Sequence, residues 1–111
     1  MAQDFERHIQ RSVGTSGATV FTADGDDAVV SLRLTNIHSG TIVVDAFVTV
    51  SSADYYLIKQ VSIPTGSSLE LIDGGSRFVL ANGDALKVDT DTASSLDVWC
   101  SVVGDISTLE D

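Results

Sequence analysis

Positive charge is scarce in this chain. Six lysines and arginines face sixteen aspartates and glutamates, for a formal net charge of −10 at pH 7. Such a surface repels phosphate backbones and anionic lipid, which argues against nucleic acid or a membrane as partner. Cysteine is nearly missing as well. The lone Cys100 cannot close an intrachain disulfide, so packing and hydrogen bonds must hold the fold, as suits synthesis in a reducing cytoplasm. Apolar runs are only a few residues long, far short of the roughly 20 that a spanning helix needs. The opening MAQDFERHIQRS has no continuous apolar stretch of the secretory kind. Histidine occurs only as His8 and His38, in neither a zinc spacing nor a nucleophile motif. No glycine-rich loop follows a strand pattern, which leaves nucleotide phosphates without a cradle.

What the chain does have is alternation. In Thr41–Val50, TIVVDAFVTV, a period of two puts Ile42, Val44, Ala46, Val48 and Val50 on one apolar side, the pattern of a half-buried strand. Its other side carries Thr41, Val43, Asp45, Phe47 and Thr49. That face is too polar for a second core layer and too apolar for ordinary solvent contact, so it is a candidate contact surface. Similar alternation runs through Val30–Leu34, Leu69–Leu71 and Leu96–Val103, and further strands are read at Ala18–Ala23, Tyr55–Ile63, Phe78–Leu80 and Leu86–Val88. Pro64 and the glycine turns punctuate it. Asn36–Gly40, Asp73–Gly75 and Ala81–Asp84 are read as hairpin connections, with Asn82-Gly83 the strongest signal. The fold class expected is an all-β antiparallel β-sandwich of about eight strands over residues 17–111, preceded by an arm over residues 1–16. In that arm Phe5, Ile9 and Val13 would share one side of a short helix, or of an extended segment, that orders on docking.

Candidate chemistry is thin. Asp24, Asp26 and Asp27 sit on a glycine turn with hard oxygen ligands of the kind calcium takes, but the run does not match the twelve-residue calcium loop, and a solvated acidic turn explains it as well. Asp89 and Asp91 read the same way. Cys100 shares the parity of Leu96 and Val98, which predicts a buried, inert thiol. Phe47, Tyr55, Tyr56 and Trp99 would make a sugar platform if gathered on one face, and core or subunit contacts otherwise.

The segments MAQDFERHI, VGTSGATVFTA, VVSLRLTN, TIVVDAFVTV, DYYLIKQVSIPTGSSLELIDGG, FVLANGDALKV and SSLDVWCSVV, in that order, resemble a family of small virion structural proteins of tailed bacteriophages, of the sort common in phages of cyanobacteria and other marine bacteria. The run from Tyr56 to Val88 carries most of the resemblance. It implies a β-sandwich virion component, made in the host cytoplasm, with no enzymatic activity and no cofactor. Its expected role is capsid decoration or cement on the outer surface of the head shell. The expected partner is the major capsid protein, with further copies of the chain as a homo-oligomer or lattice. A neck, tail or fibre part, or a host-surface adhesin, is the alternative. The acidic Asp24–Asp27 turn and the tail after Val103 depart from the family pattern. On this reading Phe5, Ile9, Val13, Val43 and Phe47 make the subunit contacts, and removing residues 2–13 leaves a folded domain that no longer joins particles.

Overall fold

Nine strands follow one another: β1 (Asp4–Val13), β2 (Ala18–Thr22), β3 (Asp27–Asn36), β4 (Ile42–Val50), β5 (Ala53–Ile63), β6 (Ser68–Glu70), β7 (Phe78–Leu80), β8 (Ala85–Thr90) and β9 (Leu96–Gly104). The structure is a computed structural model that describes residues 4–71 and 78–104. The strands form two antiparallel sheets. Sheet A runs β1-β9-β3-β6, with β7 also on β3, and sheet B runs β2-β8-β4-β5. Since β9 occupies one edge of β3, both β6 (opposite Arg33–Thr35) and β7 (opposite Asp27–Val29) lie along the other edge and act as one interrupted strand. Counted so, the order is that of an eight-stranded jelly roll.

Period-two burial supplies the glue. Ile42, Val44, Ala46 and Val48 of β4 face Leu32 and Leu34 of β3 and Leu96, Val98, Cys100 and Val102 of β9 across a dry interior. Asn36 ties this interior to the crossover after β3. Its Nδ2 donates to the carbonyls of Gly40 (2.9 Å) and Ile63 (2.8 Å), while its Oδ1 accepts from the His38 N–H (2.7 Å). A buried amide so placed is satisfied on both ends, which is what allows it to sit at 2% exposure.

Three sequence expectations change. The segment over residues 1–16 contains strand β1, not a helix, and pairs with β9 from Asp4↔Gly104 to Val13↔Leu96. Asn36–Gly40 and the Asn82-Gly83 turn are not hairpins, because β3 and β7 lie in sheet A while β4 and β8 lie in sheet B. Nor do β6 and β7 pair with each other; the turn Asp73–Gly75 expected between them lies outside the described residues, as do Ile106 and Leu109. The tight hairpin is β4–β5. There Val50 pairs with Ala53 and the two residues between, Ser51 and Ser52, have φ of 52° and 72°. Both angles are positive, as a two-residue turn matched to strand twist requires.

Candidate interaction surface

Strand register decides which side chains share an outer face, because directly opposed residues point the same way. On sheet A, Phe5 pairs with Val103, Val103 with Ala28, and Ala28 with Val79, so an apolar row crosses four strands, a span of about 15 Å. A second row runs Ile9, Trp99, Arg33, Glu70. Between them lie Arg7, Ser101 and Ser31. The Arg7 guanidinium sits over the Trp99 ring, 5.5 Å from its centroid, a cation–π geometry. Arg33 Nε donates to Glu70 Oε1 at 3.0 Å, and Ser31 Oγ donates to Glu70 Oε2 at 3.0 Å; the Arg33 bond is the main reason the Glu70 carboxyl lies below its ordinary range. Trp99 also stands between two open depressions, one lined by Arg33, Thr35 and Asp97 and the other by Ile9, Gln10 and Arg11.

Exposure singles out this face. Of the eight large hydrophobic residues that are exposed among the described residues, Phe5 (81%), Val79 (60%), Trp99 (49%) and Ile9 (48%) lie here, while Tyr55, Tyr56 and Leu57 follow one another along the edge strand β5, Tyr56 on the outer side with Phe47 and Tyr55 on the other with Val48. Of these eight, only Ile37, in a loop, falls outside the two groups. Contiguous apolar exposure of this sort marks contact surfaces, whereas scattered single residues do not.

The outer side of sheet B is acidic and aromatic. Phe47 packs against Tyr56 with ring centroids 5.0 Å apart, and Lys59 Nζ sits 4.2 Å from the Tyr56 centroid. Asp45 and Asp89 are directly opposed on β4 and β8. Partial burial, reinforced by the neighbouring Asp45 carboxylate, pushes the Asp89 carboxyl up to about 6 against a weaker pull from Lys59. Asp45 also braces the edge strand. Its Oδ1 accepts the backbone N–H of Gln60 at 2.6 Å, where β5 bulges and Gln60 has φ 57°. Two register shifts and Lys59 keep this edge strand from offering a flat ladder to another chain.

The groups with chemical potential are held in place. Cys100 is buried, and burial pushes its thiol up to about 12, so the nucleophilic thiolate is suppressed. His8 points into the sandwich and stacks on Phe21, centroids 4.3 Å apart and 8° from parallel, with its Nε2 3.2 Å from Glu6 Oε1. The acidic turn is divided. Asp24 is exposed, whereas Asp27 is buried as the first residue of β3, with its Oδ1 beside Gly104. Among the described residues no three His, Cys, Asp or Glu side chains come together as a metal site.

Of the contacts expected from sequence, Phe5 and Ile9 share the outer face of sheet A, and Val43 and Phe47 lie half-buried on the outer face of sheet B. Val13 is corrected. It is 4% exposed, because the register shift between Gln10 and Val13 turns it into the core, where it cannot meet another subunit. Trp99, Val79 and Arg7 were missed as partners of Phe5 and Ile9, since only the β1–β9–β3–β7 pairing brings them together. The sequence signal was the outward parity of Trp99 on its strand.

No family model and no curated protein matches the sequence. Among solved structures, a chain from Bacillus endospore appendages, which form a novel family of disulfide-linked pili, superposes with a TM-score of 0.54 at 16% identity, over 92% of this chain and 84% of that one. At this identity the likeness is one of fold: a two-sheet antiparallel β architecture shared along nearly the whole chain.

Proposed function

We propose that this protein is a non-enzymatic structural subunit that works in many copies, joined without covalent bonds into a larger assembly. The finer placement is the particle of a tailed bacteriophage, as a decoration protein on the outside of the head shell in contact with the major capsid protein. One observation carries the reading: four of the eight exposed large hydrophobics among the described residues gather on the outer face of sheet A, and three more follow one another along the edge strand β5. The fold shared with a pilus chain supports a structural role, and the order of segments resembling phage virion proteins supports the placement. Non-covalent joining follows from the thiol. The similar appendages are disulfide-linked, whereas the single cysteine of this chain is buried between its sheets. Catalysis finds little support, with His8 engaged inside the sandwich and Cys100 held protonated.

Copy number in purified particles tests the placement. A decoration protein follows the shell lattice, whereas a neck or tail part appears in the few copies that ring symmetry sets. Quantitative mass spectrometry against the major capsid protein should give a ratio near that of the lattice. A ratio many times smaller would move the protein to the neck or tail, and its absence from particles would remove the phage reading.

A further inference from the structure

The two exposed patches differ in charge as well as in place. Sheet A's outer side carries Arg7, Arg11 and Arg33, half of the six bases in a chain with sixteen acids, and its own acids there are Asp97 and Glu70. Glu70 is already engaged by Arg33. Sheet B's outer side instead presents Asp45, Asp54 and Asp89 around Phe47 and Tyr56, with Lys59 and Lys87 beside them, while Tyr55, opposite the inward Val48, and the bulge residue Leu57 are exposed along the β5 edge. Resting on the proposed assembly role, we infer that the outer face of sheet A of one copy docks on the outer face of sheet B and β5 of another copy.

Charge complementarity selects this occupant. Packing two sheet A faces together would set arginine against arginine with Glu70 already engaged and Asp97 left to offset them, and packing two sheet B faces would set Asp45, Asp54 and Asp89 against their own kind with Lys59 and Lys87 to offset them. Front against back puts guanidinium groups beside carboxylates. It also lays Phe5, Ile9 and Trp99 against the Phe47–Tyr56 pair, aromatic and aliphatic anchors of the kind that carry binding energy at interfaces. The Asp45–Asp89 pair has only Lys59 and Lys87 close by in register, so an incoming arginine answers a local surplus of negative charge. Because the two faces belong to different sheets, one copy can use both at once. The contact is therefore heterologous, and it extends as a row unless its rotation closes a ring.

A mixing experiment tests this. The face variant carries Arg7→Glu with Trp99→Ser, and the back variant Tyr56→Ser with Asp54→Lys; all four positions are exposed, and circular dichroism melts check that the folds survive. Should Trp99→Ser unsettle β9, Arg11→Glu with Arg7→Glu takes its place. Sedimentation velocity is read at concentrations where the wild-type chain associates. Each variant alone should lose at least about tenfold in association, equal to about 1.4 kcal/mol. Mixed one to one, they keep a single intact interface between them and should give heterodimers of about 23 kDa from two 11.7 kDa chains, and nothing larger. Undiminished association of either variant, or a mixture that stays monomeric while the wild type assembles, overturns the front-to-back contact and leaves the assembly role standing. A wild-type chain that never associates overturns both.

Discussion

Asp45 and Asp89 show how one residue pair can make stability depend on pH. The Asp89 carboxyl rises from 3.8 to about 6, through burial first and the opposed Asp45 second, so the folded chain binds a proton that the unfolded chain has released. This contribution is fully present below about 3.8 and is lost as pH rises through about 6. Because Asp89 is only partly buried, screening reduces the effect to the order of 1 kcal/mol. Asp89→Asn should therefore gain that amount over wild type at pH 7.5 and little at pH 4, as read from paired thermal melts. Taking the difference between the two proteins removes the opposite trend of Glu70 and Asp91, whose carboxyls lie below their ordinary values and whose contributions fade in acid. None of this was visible in the sequence, where Asp45 and Asp89 sit on distant strands. Only the register of β4 against β8 makes them neighbours.

At the level of strands, alternation settled which side of β4 and β9 faces inward, and Ile42, Val44, Ala46, Val48, Leu96, Val98 and Cys100 are buried as their parity requires, whereas in β3 the register shift between Val29 and Ser31 buries Val29 in place of the expected Val30. Pairing was harder to read. Turn residues say that the chain reverses, not whether it returns within its own sheet or crosses to the other, and Asn82-Gly83 crosses. The hairpin that does form uses Ser51 and Ser52, neither of which favours the left-handed conformation they adopt. Replacing them by Asn and Gly should stabilise the protein by about 1 kcal/mol, or about 4 °C in Tm, with the β4–β5 register unchanged. Strand β1 was ambiguous for a different reason: residues four apart, such as Phe5 and Ile9, share a side in a helix and in a strand alike. With β1 paired along β9 and Val13 and His8 packed inside, removal of residues 2–13 uncovers the β9 edge and part of the core. The truncated chain should melt at least about 10 °C lower or aggregate, from loss of core burial and exposure of a strand edge. An unchanged melt would show that β1 is dispensable for folding.

On the scale of the whole molecule, the jelly-roll order gives a slab with two outer faces, and seven of the eight exposed large hydrophobics among the described residues lie either on the outer face of sheet A or along β5. The sequence showed the ingredients on sheet B, where Val43 and Phe47 share one strand. It could not show the sheet A face, which gathers Phe5 and Ile9 from one end of the chain, Trp99 from the other, and Val79 from between. Because Cys100 is buried, the proposed assembly is expected to be independent of redox state. Light scattering of the purified chain across a concentration series, with and without reductant, tests the central claim most directly. Mass that rises well above the 11.7 kDa of one chain, equally in both buffers, is the result expected of a non-covalent structural subunit. A chain that remains monomeric at every concentration, or that associates only when reductant is left out, would contradict it.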